Sequence, residues 1–343
     1  MKPILNTLYI QTQGSYLRLD HETLKIEVEK ELLFQIPLHH LRGIVVFGNV
    51  LVSPFLLHRC AEDGRDVVWL SEYGHFQARL DGPTSGNVLL RRAQYAALDN
   101  AVQTLEIARL IVAGKLQNAR TVLKRAAREN KGSSDQTQLN EAAEAQAKGI
   151  RMAETAPDLD TLRGIEGSSA RAYFAAFSHM IRLNREAFEF TERSRRPPRD
   201  PVNALLSLAY ALLSNECVAA CESVGLDPQV GYLHALRPGR PALALDLMEE
   251  LRTPLADRLV LTLINRNQIK PDDFMDRPGG GIYLTEAARK IFLAAYQKRK
   301  QEEITHPVLG TKVPYGLIAH IQARLLARYL RGDLPCYQPF LFR

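Results

Sequence analysis

Two segments carry residues whose types and spacing suit chemistry. In 231–252, the run Gly231-Tyr232-Leu233-His234 leads through a turn at Pro238-Gly239 into a helix that Pro241 can open. Within that helix Asp246 and Glu249 stand at i,i+3 and share a face, while Leu243, Leu247 and Leu251 are spaced to pack on a neighbouring one. A histidine entering a turn that leads into a carboxylate-bearing helix can meet those carboxylates in space. His with two or three carboxylates suits Mg²⁺ or Mn²⁺ with positions open to substrate oxygens; the two-His site of iron oxygenases is a poorer match, because the segment supplies one His. In 162–174, Gly164 and Gly167 flank Ile165-Glu166, and Ser168 or Ser169 can cap the first turn of a helix that follows. Read this way, Glu166 is a lone ligand delivered from a loop. Both segments also fit ordinary helices, with Asp246 and Glu249 favoured by the macrodipole, His234 capping or packing, and Glu166 at a helix entrance. Leucines on both sides of Asp246 argue against a broad solvated face. No Ser-His-Asp or Cys-His arrangement offers a protein nucleophile.

The elements that must position these residues fall into two textures. From Leu8 to about Leu80, short strand-like runs alternate with turns: Leu8-Tyr9-Ile10-Gln11-Thr12, Tyr16-Leu17-Arg18-Leu19, Leu24-Lys25-Ile26-Glu27-Val28, Gly43-Ile44-Val45-Val46-Phe47, Asp66-Val67-Val68-Trp69-Leu70 and Phe76-Gln77-Ala78-Arg79-Leu80. One helix interrupts, opened by Ser53-Pro54 and stopped by Gly64; Trp69 reads as core. Residues 81–86 (Asp-Gly-Pro-Thr-Ser-Gly) form a breaker cluster and the expected linker. Beyond it the period is helical, with a polar break at Lys131-Gly132-Ser133-Ser134-Asp135 and a well-capped apolar helix opening at Asp200-Pro201. The expected fold class is α+β: a β-rich domain over 1–85 and an all-α catalytic domain over 86–343, with a tail from Arg331 that loses its period and is expected to be loosely held.

Length and composition fit a two-domain globular chain: 343 residues, 24% charged and 46% apolar. The longest apolar stretch, near Ala204 to Leu213, is broken by Ser207 and reads as too short to cross a bilayer. The N-terminus lacks a signal-peptide pattern, and Cys217 and Cys221 at i,i+4 read as buried reduced thiols, so a cytoplasmic protein without a membrane segment is expected. The net charge of +6 is concentrated. Nine basic residues (Arg91, Arg92, Arg109, Lys115, Arg120, Lys124, Arg125, Arg128, Lys131) lie between Ser85 and Lys131, with further groups at Arg193, Arg195, Arg196, Arg199 and at Lys298-Arg299-Lys300. Such clusters suit nucleic-acid backbone, and each also suits a solvated helix face.

Together the motifs resemble a known family. Gly164-Ile165-Glu166-Gly167 with Ala170-Arg171-Ala172-Tyr173-Phe174, then Asp200-Pro201-Val202-Asn203-Ala204-Leu205-Leu206-Ser207, then 234–252, come in the order of the CRISPR-associated endonuclease and integrase of spacer acquisition, the first Cas protein of the adaptation pair. The resemblance extends to Ile36-Pro37-Leu38-His39-His40 and Gly86-Asn87-Val88-Leu89-Leu90-Arg91-Arg92-Ala93-Gln94-Tyr95, covers essentially the whole chain, and is most similar to the subtype I-C branch. It implies one Mg²⁺ or Mn²⁺ held by Glu166, His234 and Glu249 as the catalytic and metal residues, with Asp246 an additional acidic position beside the site. Leu251 and Thr253 depart from the family pattern, which has an aromatic residue and proline there. The implied activity is metal-dependent phosphodiester transesterification, inserting short foreign DNA (spacers) with 3′ ends into CRISPR repeat DNA. The implied assembly is a homodimer through the β-domains, joined by the small second adaptation protein and a Cas four-type nuclease. A non-catalytic DNA-binding scaffold on the same fold is the competing expectation, and it requires no metal at these residues.

Overall fold

Leu17, Leu24 and Ile26 alternate with polar residues and are buried, which is what turns the N-terminal runs into sheets with one covered face. The computed structural model describes residues 6–82, 88–277 and 279–342. The strands are β1 (Thr7–Ile10), β2 (Tyr16–Asp20), β3 (Thr23–Val28), β4 (Glu31–Pro37), β5 (Gly43–Phe47), β6 (Leu51–Val52), β7 (Asp66–Leu70) and β8 (Phe76–Arg79), with α1 (Pro54–Glu62) between β6 and β7. They form two sheets, in the orders β1-β5-β7-β8 and β4-β3-β2-β6. Parallel pairing of β1, β5 and β7 explains the continuous apolar run of β5, which is buried throughout. The Ser53 hydroxyl accepts from the Leu56 N–H at 3.3 Å, capping α1. Strand β4 has no counterpart in the sequence reading. Its Leu32, Leu33 and Phe34 are consecutive and all exposed at an edge, so no alternation marks it.

The chain divides into two units, Met1–Ser85 with Tyr296–Gln301, and Gly86–Ala295 with Glu302–Arg343. The expected linker over 81–86 lies largely outside the described residues, as do Gly86 and Asn87 of the second motif. The second unit is built from α2 (Val88–Asp99), α3 (Ala101–Glu129), α4 (Ser134–Glu154), α5 (Leu159–Ala175), α6 (Pro201–Val224), α7 (Ala242–Leu251), α8 (Arg258–Asn265), α9 (Glu286–Gln301, whose end belongs to the first unit) and α10 (Ile318–Leu330). It is not all-α. Two hairpins, β9 (Phe274–Arg277) with β10 (Gly281–Leu284) and β11 (Glu303–Thr305) with β12 (Lys312–Pro314), use strands too short to show a period.

Two further expectations are corrected. Helix α6 spans 24 residues and is long and apolar enough to cross a membrane, because the helix continues well past its most apolar centre. Most of that stretch is buried within its unit, where α6 packs against α7 and α10, which accounts for the composition without a bilayer. The tail beyond α10 is not loose: Tyr337, Phe340 and Phe342 are buried, and Pro339 sits so close to Gly114 of α3 that a Cβ there would lie 2.6 Å from it.

Candidate metal and DNA-processing site

Helix α5 places Glu166, and it does so from mid-helix. Asp158 caps the helix by accepting from the Thr161 N–H at 2.7 Å, and Leu162, Ile165, Ser169 and Tyr173 form its buried stripe. That stripe outweighs the helix penalty of Gly164 and Gly167, about 1 kcal/mol each. The loop-borne carboxylate and the Ser168/Ser169 cap expected from the glycines are therefore replaced by a continuous helix, in which Ser168 Oγ bonds the Ile165 carbonyl at 2.9 Å.

His234 sits on a loop fastened from three helices. Gln94 of α2 donates to the carbonyls of Asp227 and Val230, both at 2.9 Å, and accepts from the Asp227 N–H at 2.9 Å. Arg163 of α5 donates to the Leu233 carbonyl at 2.8 Å. Asp246 of α7 accepts the N–H groups of Tyr232 (2.6 Å), Leu233 (3.0 Å) and His234 (3.0 Å). Gly231 allows this approach, since a Cβ there would lie 2.5 Å from the Ala242 carbonyl carbon and 2.7 Å from Asp246 Oδ2. The same carboxylate meets His234 Nδ1 at 2.6 Å. An acceptor at that distance keeps the proton on Nδ1 and leaves the Nε2 lone pair, 3.7 Å from Glu249 Oε1, for a ligand.

Glu249, one turn beyond Asp246 on α7, is buried among cations. Arg252 lies 3.1 Å from Oε1 and Lys115 of α3 lies 2.7 Å from Oε2, and the Lys115 ammonium also pairs with Glu166 Oε1. Burial alone would raise the Glu249 carboxyl; the charges of Arg252 and Lys115 outweigh it and hold the group down at about 2. Behind Arg252, the Tyr210 ring carries the guanidinium groups of Arg252 (5.2 Å) and Arg193 (5.3 Å). Tyr210 and Tyr173 donate to Asp257 at 2.6 and 2.9 Å.

Glu166, His234 and Glu249 thus converge from α5, a loop and α7, and Asp246 lies behind the histidine. Among the described residues no cluster of His, Cys, Asp and Glu is closed enough to be a ready metal cage. The donor chemistry nevertheless fits a divalent ion: two carboxylates already share one cation, an imidazole nitrogen is free beside them, and Glu249 Oε2 is buried with no hydrogen bond beyond its ion pair. Sequence reasoning missed Lys115 and Arg252 as site residues. The available signals were a lone Lys between apolar Ile111-Val112 and Leu116, and an Arg three residues after Glu249. The basic clusters also prove mixed. Lys115 belongs to the site, Arg109 bonds the Ala156 carbonyl, Arg193 bonds Asn203 and Ser207, and Lys300 is buried, while Arg92, Arg125, Arg128, Lys131, Arg195, Arg196 and Arg199 are exposed.

Comparison with known proteins places this arrangement in a family. The chain is 58% identical over 343 residues, all of both chains, to a CRISPR-associated endonuclease Cas1 of Moorella thermoacetica, and 50% identical over the same span to one of Chlorobaculum tepidum. It is 40% identical over 340 residues to a CRISPR-associated exonuclease Cas4/endonuclease Cas1 fusion of Geobacter sulfurreducens, covering 98% of this chain and 60% of the fusion. The same fold occurs in a Cas1 protein of Thermotoga maritima (TM-score 0.82, 24% identity, 96% and 97% of the two chains). It also occurs in a casposase bound to an integration product (0.84, 22%, 98% and 93%). A third instance is a Cas6-RT-Cas1–Cas2 complex (0.83, 24%, 99% and 36%). With residues 8–298 matching the family described as CRISPR associated protein Cas1, and with relatives this similar along the full chain, the protein belongs to the Cas1 family.

Proposed function

We propose that this chain is a metal-dependent DNA endonuclease and integrase that inserts short DNA into a CRISPR array, within the subtype I-C branch that its motifs resemble. One observation carries the reading: Glu166 and Glu249, from two helices, converge on a single cation position beside the free Nε2 of His234. These three residues are the proposed ligands of Mg²⁺ or Mn²⁺, which when bound supplies positive charge for a phosphate oxygen and for the transition state. The protein's own part is to hold that site. Asp246 fixes the histidine tautomer and the loop, and Arg252 and Tyr210 hold Glu249 from behind. The 3′-OH of the incoming DNA attacks the phosphorus at the repeat boundary, forming a new 3′-O–P bond as the P–O3′ bond of the repeat strand breaks. The displaced strand leaves as a 3′-OH, taking up the proton that the attacking hydroxyl loses, and water in place of that hydroxyl gives cleavage. The exposed Arg125, Arg128, Lys131, Arg195, Arg196 and Arg199 are the proposed holders of DNA backbone.

Partners follow the relatives. The Cas1–Cas2 complex and the Cas4/Cas1 fusion support docking to a small Cas2-type protein and to a Cas4-type nuclease. A cytoplasmic location is the proposal that goes with a DNA substrate. A non-catalytic DNA-binding scaffold is the second reading, favoured by the absence of a closed ligand cluster among the described residues. Strand joining on repeat-bearing DNA with Mn²⁺ separates the two. Wild type is expected to join strands, and His234→Ala and Glu249→Ala to lose joining by at least about 100-fold while still binding DNA. Equal activity in all three would remove the site assignment.

A further inference from the structure

Two carboxylates from different helices held this close repel each other unless a cation stands between them. In this protein that cation is a side chain. Lys115 reaches from α3 to Glu166 on α5 and to Glu249 on α7, and its side chain is only 12% exposed. Its ammonium bridges the two carboxylates proposed above as metal ligands, on the end of a four-carbon stem that can swing away. Arg252, the other cation on Glu249, contacts the opposite oxygen at 3.1 Å, and among the described residues only Lys115 is ion-paired with both carboxylates.

We propose that Lys115 is a resident counter-cation of the metal site: it holds Glu166 and Glu249 together before metal arrives, and a divalent ion must displace it to bind. This rests on the metal reading above. It makes Lys115 a brake on metal affinity and a support for the metal-free fold. A purely structural lysine would show the opposite sign, because its loss would scatter the ligands and weaken metal binding.

Calorimetric titration of the full chain with MnCl₂, without DNA, reads the difference directly in wild type, Lys115→Met, Lys115→Gln and Glu249→Ala. Both lysine variants are expected to bind Mn²⁺ roughly tenfold tighter or more, since the buried Glu249 and half-buried Glu166 repel each other once stripped of their shared cation. Their melting temperatures without metal should fall and recover when Mn²⁺ is added. Equal or weaker Mn²⁺ binding in a folded lysine variant would overturn the proposal. If neither variant folds, reductive methylation of the wild type decides: Lys115 labelling, read by mass spectrometry, should rise with Mn²⁺, and unchanged or lower labelling overturns the displacement. Wild-type binding that Glu249→Ala abolishes but the lysine variants leave unchanged would remove only the counter-cation role. Absence of Mn²⁺ binding in wild type and lysine variants alike would remove the metal reading, and this inference with it.

Discussion

Asp246 and Glu249 are one helical turn apart on α7, yet their surroundings assign them different work. Asp246 is saturated by three backbone N–H groups and the His234 ring, so no lone pair is well placed for a metal. Glu249 faces only cations and a free imidazole nitrogen. Asp257 makes a third case. Burial raises its carboxyl to about 6, against the pull of Tyr210, Tyr173, Arg252 and Arg193. A carboxyl raised on folding stabilises the fold fully below its ordinary value of 3.8 and loses that contribution as pH rises through about 6. Glu250, raised by burial to about 7, has the same sign. Glu249 has the opposite one, its contribution being lost only as pH falls from the ordinary 4.5 towards about 2. Melting temperature should therefore decline between about pH 4 and pH 7, and Asp257→Asn should flatten that slope over the lower part of the range. Circular-dichroism melts across the range check this; an unchanged slope in the variant would clear Asp257 of the effect.

At the scale of elements, the end of α7 is held open by a proline and rescued by an asparagine. Pro254 has no N–H to offer the Glu250 carbonyl, and the backbone from Arg252 to Asp257 widens into a π-helical turn before α8. Asn118 of α3 supplies the missing donor to that carbonyl at 2.8 Å, donates to the Phe340 carbonyl at 2.8 Å, and accepts from the Phe342 N–H at 2.7 Å. The Glu250 carboxylate takes the Phe340 N–H, the Tyr337 hydroxyl and the Gln322 amide at 2.7, 2.5 and 2.8 Å. The C-terminal tail is thus a clamp on the helix that carries Glu249. Asn118→Ala leaves a buried carbonyl and two tail groups unpaired, for an expected cost of about 1–3 kcal/mol. A urea-unfolding midpoint lowered accordingly, with faster proteolysis after α10, is the expected result; a wild-type midpoint would mean that water replaces the amide.

At the scale of the whole molecule, the N-terminal sheet leaves one surface unfinished. Edge strand β4 exposes Leu32, Leu33 and Phe34, at 52, 60 and 49% of their area, at the end of its sheet. Natural proteins rarely leave such an edge bare, and the homodimer through the β-domains that the family resemblance implies would cover it. Leu33→Asp should convert a dimer, measured by light scattering at micromolar concentration, into a monomer while the melting temperature stays near that of wild type. A dimer that survives the substitution would place the interface elsewhere.

Short-range chemistry was legible before any tertiary structure. Strand alternation around Leu24, the caps at Ser53 and Asp200, and the shared face of Asp246 and Glu249 all depend on neighbours within a few residues, and the order of motifs indicated the family. The tertiary structure alone decided what lies between those residues. Lys115 meets Glu166 across 51 positions, and Tyr337 meets Glu250 across 87. Glu166 became a mid-helix residue because a buried stripe on α5 outweighs two glycines, and the tail became ordered because a helix-terminal carbonyl and a buried carboxylate required donors. Local periodicity carries no record of such pairings. They arise when helices distant in the chain bury polar groups against one another, and each buried charge must then find its partner.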